Sequence, residues 1–116
     1  MNERRKEPRI DKIISVKLSD SEFDILTETK NISASGAYCP VSKPIQPMTK
    51  LRLVLLLPVK KNRSTQIKKI SCEGVVVRLE NINDNAKYPY RAGIFFSTLS
   101  DADKKSLRCY IQSSLK

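Results

Sequence analysis

The chain has 116 residues, of which 40% are hydrophobic, so it is long enough for one globular domain with a modest core. Its net charge is +10. It contains no histidine, which excludes histidine-based catalytic triads, and its three cysteines are isolated, so no pair has the spacing typical of a zinc site. We therefore expect a cytoplasmic binding protein with reduced thiols, without cofactor or metal, and not an enzyme.

The longest apolar run, Leu53 to Val59, is far shorter than the roughly 20 residues of a membrane span. No apolar stretch follows the charged N-terminus, so we expect neither a secretory signal nor a membrane span. Between Asn31 and Cys72 the chain has eight basic residues and no acidic one. Such a field attracts nucleic acid, nucleotides or anionic membranes, although charge alone also fits a solubilising surface.

The N-terminal part is predicted to be a flexible basic arm over residues 1–12, followed by a single domain over 13–116. The arm contains the stretch ERRKEPRID, with four cationic residues, and we expect nothing in it to join a hydrophobic core. Residues 13–19 alternate apolar and polar, which is the period of a half-buried strand. After a short turn, residues 23–33 are predicted to form the second strand of a hairpin.

The middle of the chain is rich in proline, which lacks the N–H that a central strand donates. Residues 35–50 are therefore predicted to be mostly connection, with a short strand at 37–39. The run 50–59 fits a strand that ends at Pro58, although its leucines also suit a helix.

The following segments are predicted as a polar loop over 60–66, a long strand over 67–81 and a turn over 81–87. A last strand follows, because every second residue from Tyr88 to Phe96 is apolar. Five or six antiparallel strands in so short a chain predict a small barrel, since closure removes exposed sheet edges.

A C-terminal helix is predicted over about 100–115. Ser100 is the expected N-cap, with Asp103 three residues on as in a capping box. An apolar stripe would dock this helix on the barrel, and it consists of Leu107, Tyr110, Ile111 and Leu115.

The arm contains two arginines with a spacing that matters for ligand binding. Arg5 and Arg9 face the same side of an extended chain, roughly 13 Å apart. Each guanidinium fork matches phosphate oxygens or the O6/N7 edge of guanine. Pro8 restricts the backbone directly before Arg9. Together the two forks could clamp a ligand that carries two anionic or guanine-like groups.

The hexapeptide NISASG begins at Asn31 and is the second candidate binding motif. On a strand, Asn31 and Ser33 share a face and offer an amide and a hydroxyl for hydrogen bonding. Gly36 suits either a turn with positive φ or a close approach of the backbone to a ligand. Taken alone, the hexapeptide is better explained by ordinary turn chemistry.

In combination, RxxxR in a basic arm, a strand hairpin and NxSxxG resemble the PilZ domain family. The motif residues here are Arg5, Arg9, Asn31, Ser33 and Gly36, with Gly93 in a segment similar to the family's last strand. The resemblance covers essentially the whole chain. It implies a mainly β protein, a six-stranded antiparallel PilZ-type barrel with a C-terminal α-helix, that binds the bacterial second messenger cyclic di-GMP.

The resemblance also implies roles for these residues. The two arginines would contact guanine and phosphate, Asn31 and Ser33 would contact the ligand from the barrel surface, and Gly36 would be a backbone requirement. In this family an arginine directly before RxxxR often accompanies two intercalated ligand molecules, and Arg4 holds that place. A stacked ligand dimer is therefore favoured. Because the sequence shows no output domain, we expect an unidentified partner protein to read the ordered arm.

Two other functions remain open at this point. The first is a small barrel that binds nucleic acid, which usually requires exposed aromatic side chains. The chain has only seven aromatics, and Tyr88, Tyr90 and Phe96 fall on the apolar face, so nucleic acid is not the expected partner. The second is a ligand-free member of the same family that acts as an interaction module. Such members typically lack the arginines that this sequence retains.

Overall fold

The computed structural model describes residues 8–82 and 87–115. Within these two ranges, seven strands precede one helix. The strands are β1 Ser15–Ser19, β2 Asp24–Glu28, β3 Asn31–Ile32, β4 Gly36–Val41, β5 Lys50–Lys61, β6 Ser64–Asn81 and β7 Tyr90–Thr98, and the helix is α1 Asp101–Ser114.

All seven strands form one antiparallel sheet in the order β2-β1-β5-β6-β7-β4-β3. The sheet curls so that its two ends approach each other. Thr27 Oγ1 on β2 donates a 2.7 Å hydrogen bond to the carbonyl of Pro40 on β4 and so joins the two ends. The Lys30 N–H then donates to the Tyr38 carbonyl at 2.8 Å. The predicted fold class, a small antiparallel β-barrel with a C-terminal helix, is confirmed as a curled half-barrel.

The strand count is seven instead of six because the predicted strand over 23–33 is interrupted. It divides into β2 and β3 at Thr29 and Lys30. The Thr29 side chain is buried, and its hydroxyl accepts a hydrogen bond from the backbone N–H of Ile14 at 3.1 Å. A side chain that takes over backbone hydrogen bonds in this way competes with the ladder and breaks the strand.

Two predicted boundaries in the middle of the chain are wrong. The segment 50–59 is a strand, but it continues through Pro58 to Lys61. Pro58 pairs with Ile67 of β6, whereas β1 accompanies β5 only as far as Leu56, so no strand lies beside Pro58 on its other edge. Proline is tolerated at such an edge because no N–H is required there. The predicted loop over 60–66 is mostly strand, with a turn at Asn62, whose φ is +60°.

The core lies inside the curled sheet and is formed by alternate strand residues. The alternation predicted for the last strand is confirmed for Ala92, Ile94 and Phe96, which are buried, while Tyr88 and Tyr90 are only half-buried. Other buried side chains come from β1, β4, β5 and β6, and they include Val16, Leu18, Val41, Leu53, Leu55, Leu57, Ile70 and Val76.

The helix begins as the sequence predicts. Ser100 is its N-cap, and the Ser100 hydroxyl accepts a 3.1 Å hydrogen bond from the Asp103 N–H. Leu107 and Ile111 are buried and Tyr110 is half-buried, but Leu115 is 51% exposed, so the predicted stripe ends one turn early. In the described part of the chain, no helix is both long enough and apolar enough to cross a bilayer.

Candidate ligand-binding site

The end of the arm is attached to the barrel at Ile10. Ile10 and Ile32 form an antiparallel bridge with two backbone hydrogen bonds of 3.0 Å, and the Ile10 side chain is 6% exposed and part of the core. The Thr29 hydroxyl also donates to the Lys12 carbonyl at 2.6 Å. The expectation that nothing in ERRKEPRID joins the core is therefore wrong, because one isoleucine among the charged residues does so. The boundary between an arm over 1–12 and a domain over 13–116 stays a prediction.

This attachment brings the two sequence motifs together at one point. Arg9 directly precedes the bridge, and its Nη1 donates a 2.7 Å hydrogen bond to Oδ1 of Asn31. The Arg9 side chain is exposed and that of Asn31 is half-buried. A residue of RxxxR and a residue of NxSxxG therefore touch across 22 positions of sequence. Arg4 and Arg5 lie outside the described residues.

Ser33 does not share the face of Asn31. β3 ends at Ile32, and Ser33 begins a turn in which its side chain is 1% exposed. The Ser33 hydroxyl accepts a 3.1 Å hydrogen bond from the Ser35 N–H and lies 3.1 Å from the Ser35 hydroxyl. The prediction that Asn31 and Ser33 share a face of one strand is wrong because β3 ends at Ile32, before Ser33. In this structure the hydroxyl shapes the turn that carries Asn31.

Gly36 is required by contact with the neighbouring strand. Gly36 does not have a positive φ, and neither does any other glycine in the described residues, so the first of the two alternatives for Gly36, a positive-φ turn, is wrong. A Cβ atom built on Gly36 would lie 2.3 Å from the Ile94 carbonyl oxygen of β7. The close approach that the sequence suggested is thus made to protein backbone within the sheet.

Asn31 begins a row of paired residues that crosses four strands. Asn31 pairs with Tyr38 on β4, Tyr38 with Gly93 on β7, and Gly93 with Arg78 on β6. A β-bulge between Val76 and Arg78 sets the last pairing. Bulges of this kind redirect a side chain, and here Val77 and Arg78 both lie exposed. The row places an amide, a phenol and a guanidinium on one outer surface.

Tyr38 and Arg78 interact directly above Gly93. The guanidinium carbon of Arg78 lies 5.8 Å from the centroid of the Tyr38 ring, within cation–π range. Glu80 accepts a hydrogen bond from the Tyr38 hydroxyl, and its other oxygen lies 3.3 Å from Nε of Arg78. Burial raises the pKa of the Tyr38 phenol, and the hydrogen bond to Glu80 and its negative charge raise it further. The phenol is therefore held neutral beside a cation.

These side chains line a shallow cleft of about 620 Å³ on the outer surface of the half-barrel. Arg9 and Asn31 lie along one side, Arg78 lies on the other, and Phe95 adds an exposed aromatic ring. Gly93 has no side chain to fill the space between Tyr38 and Arg78. The cleft thus combines flat aromatic and guanidinium surfaces with hydrogen-bond donors, which suits a planar base that carries an anionic group.

Sequence reasoning missed Tyr38, Arg78 and Phe95. A signal for Phe95 was present, because the alternation that sends Ala92, Ile94 and Phe96 into the core sends Phe95 to the outer surface. No comparable signal existed for Tyr38 and Arg78, since their proximity depends on strand register and on the bulge. In the described ranges, no group of three or more Cys, Asp or Glu side chains is arranged to hold a metal ion.

The fold of this chain resembles those of two proteins of known structure. A structure of the Bacillus subtilis inhibitor of motility (MotI/DgrA) superposes with a TM-score of 0.81 at 26% identity, covering 98% of this chain and 53% of that one. The chain therefore spans about half the length of that protein. The PilZ domain with c-di-GMP of YcgR from Escherichia coli superposes with a TM-score of 0.68 at 12% identity, covering 97% and 93% of the two chains.

No curated protein sequence matches the chain. A family model described as PilZ domain matches residues 3–113, which is nearly the full length. The predicted family is confirmed: the chain belongs to the PilZ domain family.

Proposed function

We propose that this chain is a cyclic di-GMP receptor that binds the ligand between its N-terminal arm and the cleft on the outer surface of the half-barrel. Family membership supports the ligand class. The observation that carries the proposal is the Arg9–Asn31 hydrogen bond, because it brings the two motifs together at the edge of a cleft that also contains Tyr38 and Arg78.

The ligand has two phosphates and two guanines, and each group has a matching partner in the proposed site. Arg5 and Arg9 offer bidentate forks to phosphate oxygens or to the O6/N7 edge of guanine. Asn31 offers an amide that can donate to and accept from a base edge. Ser33 and Gly36 support binding through the turn and the strand contact that hold Asn31 in place.

Tyr38 and Arg78 extend the proposed site beyond the two motifs. Arg78 is stacked against the Tyr38 ring, and both side chains border the space left open by Gly93. A guanine base placed there would contact an aromatic ring or a guanidinium plane, as bases do in many nucleotide-binding proteins. Arg4, directly before RxxxR, supports a second, stacked ligand molecule in the proposed complex.

Binding would order the arm and so create a new surface. Fixing each backbone residue opposes binding by roughly 1–2 kcal/mol. Charge-assisted hydrogen bonds, at roughly 1.5–3 kcal/mol each, offset this loss only when several form together. The arm would therefore close only over a ligand that engages both arginines. The closed arm and the ligand would then be read by a partner protein in the cytoplasm.

Titration calorimetry tests the proposal, with cyclic di-GMP as the ligand and GTP as the control. We expect saturable binding of cyclic di-GMP, which is lost in Arg9→Ala, and no binding of GTP at comparable concentrations. The proposal would be overturned by a folded protein that shows no heat with cyclic di-GMP. Binding of short single-stranded oligonucleotides with a steep salt dependence would then favour a nucleic-acid-binding barrel.

A further inference from the structure

The paired strands β5 and β6 extend past the rest of the sheet. β1 accompanies β5 only to Leu56, and β7 accompanies β6 only from Glu73 onward, so the outer part of this hairpin, 57–61 with 64–68, has no third strand beside it. The turn at Asn62 and Arg63 closes its end. One face of this hairpin end is covered at its base, where Leu57 is buried and Val59 packs against the core, whereas residues 60–67 are exposed.

The hairpin end and the adjacent helix are strongly cationic. From Asn31 to Cys72 the sequence contains no acidic residue. The cations on the hairpin are Lys60, Lys61, Arg63, Lys68 and Lys69, and those on the helix are Lys104, Lys105 and Arg108. The nearest acidic side chains on these elements are Asp101 and Asp103, in the first turn of the helix, and Glu73, further along β6.

Hairpin and helix face each other across a cleft of about 930 Å³, which we term the hairpin–helix cleft. Lys60 and Lys68 line it from the hairpin, and Lys105 lines it from the helix. Lys12 adds a fourth ammonium group at its border. Four cations around one concave surface concentrate positive potential and attract an anionic partner.

An exposed aliphatic side chain adjoins these lysines. Ile67 pairs with Pro58 and is 61% exposed, and strand alternation places it on the same face of the hairpin as Lys60 and Lys69, opposite to Lys68. Leu115, just past the end of α1, is 51% exposed. Exposed aliphatic side chains are stabilised when they are buried at the surface of a bilayer, and lysines are attracted to its anionic headgroups.

We propose that the hairpin–helix cleft and Ile67 form a surface that binds a lipid bilayer with anionic headgroups. Of the eight cationic side chains on the hairpin and the helix, six are lysines, which act as point charges without the planar fork of arginine. Headgroups need only charge density, whereas bound nucleic acid would favour exposed aromatic rings. Within the hairpin–helix cleft the aromatic residue is Tyr110, and it is half-buried.

This surface is separate from the proposed cyclic di-GMP site. Lys68 and Arg78 lie on the same strand, ten residues apart, which corresponds to about 33 Å of extended chain. Bilayer binding therefore requires no cyclic di-GMP and can be measured without it. A failure of either proposal would leave the other intact.

Vesicle co-sedimentation tests the inference. The wild-type chain should bind vesicles of mixed phosphatidylcholine and phosphatidylglycerol and not those of phosphatidylcholine alone, and added salt should weaken binding. The variant with Lys60, Lys68 and Lys105 changed to glutamine should bind on the order of 100-fold more weakly. The matched control changes Lys43, Lys50 and Arg52 to glutamine, which removes the same charge elsewhere, and it should bind at nearly the wild-type level.

Two further measurements sharpen the test. Ile67→Ser should weaken vesicle binding roughly tenfold, while Leu26→Ser, which alters an exposed leucine on β2, should not. Cys109 is exposed and lines the hairpin–helix cleft, so anionic vesicles should slow its alkylation.

Equal losses of vesicle binding in the two triple variants would overturn the inference in favour of net charge alone. Oligonucleotide binding that is stronger than vesicle binding and lost in the first triple variant would overturn it in favour of nucleic acid.

Discussion

Arg9 Nη1 lies 2.7 Å from Asn31 Oδ1, so a side chain of the predicted arm touches the barrel. The contact follows from the backbone bridge between Ile10 and Ile32, the residues that directly follow Arg9 and Asn31. The bridge and the hydrogen bond fix where one arginine of the proposed clamp lies relative to Asn31.

The first prediction concerns the two arginines of RxxxR. Arg9→Ala and Arg5→Ala should each abolish cyclic di-GMP binding measurable by calorimetry. The Arg9 side chain is exposed but hydrogen-bonded to Asn31, so Arg9→Ala should lower the free energy of unfolding by about 0.5–1.5 kcal/mol and leave the barrel folded. Arg5→Lys should also weaken binding, because an ammonium group cannot replace the planar fork. The control is Arg63→Ala at the hairpin turn, and wild-type affinity in both arm variants would contradict the clamp.

The second prediction contrasts two glycines of the same sheet. Gly36→Ala places a Cβ atom 2.3 Å from the Ile94 carbonyl oxygen, so the strands must separate locally, at a loss of about 1–3 kcal/mol in urea unfolding. Gly93→Ala meets its nearest neighbour, Arg78 Cβ, at 3.6 Å and should change stability by about 0.5 kcal/mol or less. Gly93→Val should nevertheless weaken cyclic di-GMP binding by filling the space between Tyr38 and Arg78. A neutral Gly36→Ala would contradict the assigned backbone contact.

The third prediction concerns the buried hydroxyl group of Ser33. Ser33→Ala leaves the Ser35 N–H without its 3.1 Å acceptor, and we expect a loss of about 1–3 kcal/mol in unfolding free energy. Because this hydroxyl acts through the turn, its removal should reduce ligand affinity less than either arginine variant. Complete loss of measurable binding in a folded Ser33→Ala variant, as expected for Arg9→Ala, would show that Ser33 contacts the ligand directly.

The fourth prediction tests how Thr29 holds the arm. The Thr29 hydroxyl accepts from the Ile14 N–H and donates to the Lys12 carbonyl, and both bonds are lost in Thr29→Val. We expect a loss of about 1–3 kcal/mol by urea unfolding. Thr98→Val is the matched control, since the Thr98 hydroxyl also accepts a backbone N–H at 3.1 Å but is exposed, so that water can replace it. Equal losses in the two variants would contradict the role of burial.

Hydrophobic alternation in the sequence predicted the strands and the helix well where one face of each element is buried. It failed at Thr29 because a buried polar side chain there replaces ladder hydrogen bonds, which an apolar pattern cannot show. It failed at Pro58 because a proline is tolerated only if the neighbouring edge is open, and that depends on where β1 ends. Both errors arise from tertiary context that residue types alone do not encode.

The candidate site was predicted only as far as its motifs. The order of RxxxR and NxSxxG pointed to the family, and the bridge at Ile10 explains how Arg9 reaches Asn31. The other half of the cleft, with Tyr38 and Arg78, depends on cross-strand register and on one bulge. A shift of one residue in that register would turn Arg78 to the opposite face. Such information is absent from any single sequence pattern.

The last prediction concerns the chemistry of the three thiols. Burial raises the pKa of Cys39 to about 12, and burial together with Asp103 and Glu73 raises that of Cys72 to about 11. The thiolate is the reactive form, so both thiols should resist alkylation at about pH 8. Cys109 is exposed, and one thiol of three should therefore react in the native protein and all three after unfolding.

The same pKa shifts predict how the two buried thiols respond to alkaline pH. A raised folded-state pKa means that the neutral thiol stabilises the fold. This contribution is complete below the pKa of the unfolded chain, near 8.5, and is lost as pH rises towards 11 and 12. In Cys109→Ser, native labelling should fall to zero at about pH 8 and reappear as alkaline unfolding begins. Rapid native labelling of that variant would show that Cys39 or Cys72 is accessible and would contradict their burial.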